Sequence, residues 1–246
     1  MGKTFEHTYD INYCDVNCFL EANTSCLLNL ICDIGMRQSQ SLGESVERLM
    51  NKGYGWVFYK YDFKFYKYPR VCEKFKVRTY CYGLKKFYAF RKYFLENENG
   101  ELIGEGIATF LMINLKRRRL MRIPEDEYKL YGVKEDLEDI LEIEDIPKFE
   151  DGDLKKDFNV GYREIDTNFH VNNVNYLDWS METLPKEVIL KKYVSRVVIN
   201  FLKECSYGDN ISCIGYITED GKESIHKIVN NEGKELALVH LYLEDR

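Results

Sequence analysis

The chain carries one short pattern twice, and an internal repeat constrains a fold more tightly than composition does, because each copy has to build the same local unit. Tyr13–Asn23 (YCDVNCFLEAN) aligns without gaps on Tyr162–Asn172 (YREIDTNFHVN). Each copy runs directly into a helical pattern. After Asn23, Thr24 and Ser25, which suit a helix start, Leu27, Leu30, Ile31 and Ile34 recur at helix spacing, and Gly35 follows. After Asn172 and Asn173, the residues Leu177, Met181 and Leu184 repeat the spacing, and Pro185 stands where the helix should stop.

Both helices are followed by runs rich in aromatic and β-branched residues. In the first half these are 56–68, 75–82, 87–95 and 102–115; in the second they are 194–202, 211–217, 225–229 and 235–243. Turn signals at 96–100, 219–221 and 230–233 separate them. Each half therefore reads as strand, helix, then antiparallel strands. A long helix buried in the concave face of a curved antiparallel sheet is the hotdog arrangement, so the fold expected is α+β, a double hotdog. The boundaries read as 1–131 for the N-terminal repeat, 132–157 for an acidic linker and 158–246 for the C-terminal repeat. Residues 134–153 hold ten acidic side chains and a helical pattern at their start. The chain is thus a pseudo-dimer within itself, with pairing of two chains left open.

Hydrophobic residues at 45% and aromatics at 14% suffice for a sizeable core and argue against disorder. The apolar run 107–115 is far short of the roughly 20 residues that span a bilayer, and the N-terminus shows no apolar signal core. The expected compartment is the cytoplasm, where eight cysteines read as reduced thiols. Cys14 and Cys18 form a single CxxxC pair with no second pair, so no metal is expected. A net charge of −6 gives no overall pull toward nucleic acid or anionic membrane. Locally, 116–122 (KRRRLMR) holds five positive charges, and Lys85, Lys86, Arg91 and Lys92 form a second basic group. Each fits either a solvated strand end or an anion-binding face.

The stretch most informative for chemistry is 166–173, DTNFHVNN. If extended, it places Asp166, Asn168 and His170 on one side. Those polar groups then converge before a helix start, where the backbone N–H groups of Asn172, Asn173 and Val174 carry positive partial charge and suit an oxyanion. A base that activates water, plus such a hole, is what thioester hydrolysis requires, because a thiol of pKa about 8.5 leaves with little acid assistance. A polar loop that merely caps the helix is the plainer alternative. Against it, the first copy has Asn17, Phe19 and Glu21 at the matching places, so only one half keeps the triplet. His7, His226 and His240 fall outside it and receive no role.

These features, with Trp56-Val57, Arg70 after Tyr68-Pro69, Arg91, 114–124 with Arg118-Arg119 and Ile123-Pro124, 166–176, and Lys203-Glu204-Cys205, resemble the acyl-ACP thioesterases over nearly the full length. The resemblance implies hydrolysis of fatty acyl-[acyl carrier protein] thioesters, with acyl carrier protein as partner, an acyl chain in a hydrophobic tunnel, and neither metal nor organic cofactor. It also implies that Asp166, Asn168 and His170 sit beside Glu204. In one scheme Glu204 and Asn168 orient and deprotonate water while His170 and Asp166 position the carbonyl; in another Cys205 is a nucleophile paired with His170 and Asn168. Neighbours in a regular strand face opposite ways, so Glu204 and Cys205 cannot both point at His170, and Glu204 is favoured. The acidic carrier protein makes Arg117, Arg118, Arg119 and Arg122 candidates for docking it. Alternatives are an acyl-CoA thioesterase of the same fold, a hotdog 3-hydroxyacyl thioester dehydratase, and a non-catalytic acyl-binding module.

Overall fold

The computed structural model describes residues 2–138, 140–166 and 169–246. They fall into two compact units, Met1–Tyr59 with Phe65–Ile143, and Lys60–Lys64 with Glu144–Arg246. The first holds β1 (Thr4–Asp10), α1 (Thr24–Ser41), α2 (Val46–Lys52), β2 (Tyr54–Phe65, shared with the second), β3 (Lys74–Lys85), β4 (Tyr88–Asn97), β5 (Leu102–Asn114), the two-residue β6 (Arg119–Leu120) and α3 (Glu125–Tyr131). The second holds β7 (Leu154–Asn159), α4 (Val174–Thr183), α5 (Lys186–Lys191), β8 (Lys192–Phe201), β9 (Asn210–Ile217), β10 (Glu223–Asn230) and β11 (Glu235–Asp245). Strand order is β1-β3-β4-β5-β2 in the first, with β6 against β5, and β7-β9-β10-β11-β8 in the second. The second order is the first order repeated, strand for strand. Residues Lys60–Lys64 lie antiparallel to β8, from Lys60 opposite Asn200 to Lys64 opposite Arg196.

Curvature has a local cause. The register shifts at Cys81/Gly83 and Leu95/Glu96 in the first unit, and at Ile228/Val229 and Tyr242/Leu243 in the second. An extra residue on one strand bends the ladder and increases its twist. Helix α1 lies on β1 and β3, and α4 on β7, β9 and β11. The buried face of α1 is Leu27, Leu28, Ile31 and Ile34, each worth about 1.5–3 kcal/mol once out of water.

Gly35 does not stop α1. A glycine costs a helix interior about 1 kcal/mol without breaking it, and the next turn contributes contacts of its own. Gln38 Nε2 donates to the Lys3 carbonyl at 2.7 Å, and the Ser39 and Tyr131 hydroxyls lie 2.8 Å apart. In α4 the buried face is Val174, Tyr176, Leu177, Trp179, Ser180 and Thr183, with Met181 only half-buried.

Among the described residues the acidic stretch shows no helical start: α3 ends at Tyr131 with Gly132 left-handed at φ 72°, and β7 begins at Leu154, inside the range 132–157. Its charges are partly used. Asp145 pairs with Lys60 at 2.6 Å, while Glu144 accepts from Tyr242 Oη at 2.6 Å and pairs with Arg196 at 3.0 Å. Gly152 lets this strap pass close to β9, since a Cβ there would lie 2.2 Å from the Gly215 carbonyl oxygen. Among the described residues no helix is long and apolar enough to cross a membrane.

Candidate functional site

The described residues of the DTNFHVNN segment, 166 and 169–173, do not run as an extended strand. The segment follows a one-turn 3-10 helix, Tyr162–Glu164, which the Glu164 carboxylate closes by accepting the Gly161 N–H at 2.6 Å. Ile165 and Val171 then bridge, Asp166 N–H donates to the His170 carbonyl at 2.8 Å, and Phe169 N–H donates to the Asp166 carbonyl at 3.1 Å. Phe169 sits at φ 63°. Asp166 and His170 therefore meet because the loop closes, with His170 N–H also 3.4 Å from Asp166 Oδ1; strand alternation is not the reason. Asn168 and Thr167 lie outside the described residues.

The second half of the site comes from the segment after β8. His170 bridges Ser206, and Val171 N–H donates to the Cys205 carbonyl at 2.9 Å, which holds 204–206 beside the loop. His170 Nε2 is 3.2 Å from Glu204 Oε2, with the two side chains 28% and 46% exposed, so water reaches the pair. Cys205 turns the other way. It is buried, its Sγ is 3.3 Å from Tyr176 Oη, and desolvation pushes its thiol up to about 11. At neutral pH only about one such thiol in ten thousand is ionised, and the thiolate is the nucleophilic form.

At the helix start, the expected oxyanion donors are mostly engaged. Asn172 N–H donates to the Glu164 carbonyl at 2.8 Å and Val174 N–H to Asn172 Oδ1 at 3.2 Å. Of the three expected N–H groups only that of Asn173, the N-cap residue of α4, meets no acceptor among the described residues. The correction follows from the Asn172 side chain, which caps the helix it was expected to leave open.

Glu164 is the residue that sequence reasoning missed. Its carboxylate also accepts from Trp179 Nε1 at 2.9 Å, and its carbonyl accepts from Asn175 Nδ2 at 3.0 Å, so it ties the loop to α4. The signal was present: Glu164 aligns with Asp15, another acid, whose carboxylate takes the Asn12 N–H at 2.8 Å. Tyr176, against Cys205, is the other.

The remaining expected groups lie apart. Arg117, Arg118, Arg119 and Arg122 are exposed on and after the β5–β6 turn, with Arg122 4.0 Å from Asp136. Arg91 of the second basic group is buried, donating to Gln38 and to Thr79 at 3.3 Å. His226 is fully buried against Ser224 and Cys213, and burial lowers it to about 4; His240 pairs with Glu223 at 2.7 Å. All eight thiols are free. Two surface cavities, one around Lys67–Pro69 and Asn97–Asn99, the other between β7, β9 and the 229–233 turn, are not lined by His170 or Glu204.

Comparison with known proteins matches both halves. The model of the acyl-ACP thioesterase N-terminal domain covers residues 2–131, and that of the acyl-ACP thioesterase C-terminal domain covers 148–244. The chain is 24% identical to the chloroplastic oleoyl-acyl carrier protein thioesterase of Coriandrum sativum over 94% of this chain and 68% of that one. It is 21% identical to the palmitoyl-acyl carrier protein thioesterase of Gossypium hirsutum over 91% and 57%. It thus spans about two thirds or less of these plant relatives. Among solved structures, a candidate oleoyl thioesterase from Lactobacillus plantarum superposes with TM-score 0.93 at 22% identity, covering 99% of this chain and 97% of that one. The 12:0-ACP thioesterase of Umbellularia californica gives 0.87 at 17% identity, covering 99% and 98%. These likenesses establish the double hotdog fold.

Proposed function

The chain belongs to the acyl-ACP thioesterase family and is a thioester hydrolase, and from that premise we propose that its second unit cleaves fatty acyl-[acyl carrier protein] with the His170–Glu204 pair at the reacting centre. The observation that carries this reading is the 3.2 Å contact of those two side chains, open to water and next to the start of α4. Water held by Glu204, with Asn168 the second residue expected to orient it, attacks the thioester carbon. Glu204 takes its proton, and the carbonyl, positioned by His170 and Asp166, gathers charge on its oxygen beside the Asn173 N–H. Collapse of the tetrahedral intermediate breaks the C–S bond, and the thiolate recovers the proton from Glu204. A positioned base of this kind contributes about 10²–10⁴ in rate, and a preorganised donor adds to it.

Cys205 as nucleophile is disfavoured by its burial and raised pKa. No step calls on a metal or an organic cofactor. The C-terminal repeat carries the reacting groups, and Arg117, Arg118, Arg119 and Arg122 dock the acidic carrier protein. The eight free thiols suit a reducing cytoplasm.

The test is incubation with a panel of acyl-ACPs and the matching acyl-CoAs, measuring released fatty acid. Faster release from the carrier protein supports the reading. Preference for the CoA esters makes the chain an acyl-CoA thioesterase, loss of water from 3-hydroxyacyl esters makes it a dehydratase, and binding without turnover makes it an acyl-binding module.

A further inference from the structure

Two aromatic residues next in the chain to the reacting segments leave most of their surface in solvent. Phe169 is 83% exposed and Tyr207 is 67% exposed. They are the outer chain neighbours of His170 and Ser206, which bridge each other. Phe169 also occupies a left-handed backbone position at φ 63°, where a side chain with a Cβ is strained and glycine or asparagine is the favoured residue. A phenylalanine there gains no burial to offset that strain.

The first unit supplies the control. Its matching loop places Leu20 at φ 61° with 43% exposure, and the residue that matches Tyr207 is Val71, which is half-buried. The exposed tyrosines Tyr13 and Tyr162, at 81% and 84%, occur in both copies and so say nothing about the site. The aromatic pair is present only in the copy that has the His170–Glu204 contact.

We infer that Phe169 and Tyr207 form an aromatic clamp that seats the pantetheine arm of the carrier-bound thioester, so that its sulfur end lies beside His170 and Glu204. This rests on the thioesterase reading above. The arm presents a geminal dimethyl group and two flat amides, which suit aromatic faces, and the Tyr207 hydroxyl supplies a polar partner for an amide. The arm is chosen over the acyl chain because both residues are largely exposed, and a carrier protein approaches from solvent.

The test uses the full chain with one acyl group presented on acyl carrier protein, on pantetheine and on N-acetylcysteamine, which lacks the dimethyl part of the arm. Phe169→Gly and Tyr207→Ala are each expected to raise KM on the first two substrates roughly three- to tenfold, with a smaller rise on the third and little change in kcat. Phe169→Leu should recover part of the loss. Phe169→Gly should also raise Tm by about 2–4 °C, because the strain is relieved, so weaker binding and greater stability come from one change. An unchanged KM on every substrate overturns the clamp, and an equal rise on all three overturns it by placing the rings on the acyl chain. A fall in kcat alone overturns it too, since the rings then only shape the loop. Failure of the thioesterase reading is seen separately, as wild-type chain that hydrolyses none of the three, and it removes the clamp as well.

Discussion

The two copies of the repeat are nearly the same object in backbone and different objects in side chain. In the first, Asn17 N–H donates to the Glu21 carbonyl at 2.8 Å and Ala22 N–H to the Pro69 carbonyl at 2.9 Å; in the second, Asp166 N–H donates to the His170 carbonyl at 2.8 Å and Val171 N–H to the Cys205 carbonyl at 2.9 Å. The following turns match as well, with Arg70 N–H on the Glu73 carboxylate at 2.9 Å and Ser206 N–H on the Asp209 carboxylate at 2.8 Å. Yet where the second copy has His170 against Glu204, the first has Glu21, 3.9 Å from Arg70, and Tyr68, whose hydroxyl is 2.9 Å from that of Thr24. The loop is therefore a general device for bringing two distant segments together. What it does depends on the side chains it presents.

The largest expected effect breaks this comparison at its chemical end. His170→Ala should lower kcat on acyl-ACP by about 10²–10⁴-fold, while Glu21→Ala at the matching place leaves kcat unchanged. Equal losses in steady-state assays would show the first copy to be part of the reacting centre.

A second difference lies deeper in the sheets. His226 on β10 faces Gly215, whereas the matching pair on β4 and β3 is Tyr93 opposite Thr79. Desolvation, reinforced by His240, lowers His226 to about 4 from the ordinary 6.5 of a histidine. Between those values the unfolded chain binds a proton that the folded chain does not. The stability from a neutral His226 is thus fully present above pH 6.5 and is lost as pH falls toward 4, by about 3 kcal/mol in all. Tyr93 is raised by burial and stays neutral throughout that range. Urea unfolding at pH 7 and pH 4.5 should show a smaller acid loss for His226→Gln than for wild type. The same loss in both would assign the acid sensitivity elsewhere.

How much of this was legible in the sequence follows from which signals are local. The duplicated pattern and its helix starts revealed the repeat, and the NxNG and NNEG turns revealed their hairpins, because in each Asn97 Oδ1 or Asn230 Oδ1 accepts the backbone N–H groups on either side of a left-handed glycine. The site was half legible. Asp166, His170 and Glu204 could be named, but their meeting depends on a loop closure that strand periodicity does not describe. Glu164 was passed over because a carboxylate that caps a 3-10 turn looks, in sequence, like any exposed acid.

Smaller effects sharpen the comparison further. Reversing Arg118 and Arg119 to glutamate should raise KM for acyl-ACP several-fold and flatten its salt dependence without touching kcat, as expected for a docking surface outside the reacting unit. If neither quantity moves, the patch is only a solvated turn. Smaller still, the turn after the site has Gly208 at φ 85° where the first copy has Cys72 at φ 67°. Gly208→Ala should lower Tm and Cys72→Gly should raise it, each by about 2–4 °C. Matching shifts of opposite sign in thermal unfolding would confirm that the two turns are equivalent, and shifts of one sign would separate them.

The central claim is that water, held by Glu204 and aimed at a carbonyl beside His170, does the cleaving. The direct measurement is kcat/KM on one acyl-ACP for Glu204→Ala and Cys205→Ala side by side. A drop of about 10³-fold in the first and near-normal hydrolysis in the second is the predicted result. A collapse in Cys205→Ala, together with an acyl-enzyme trapped on Cys205 in the wild type, would contradict it.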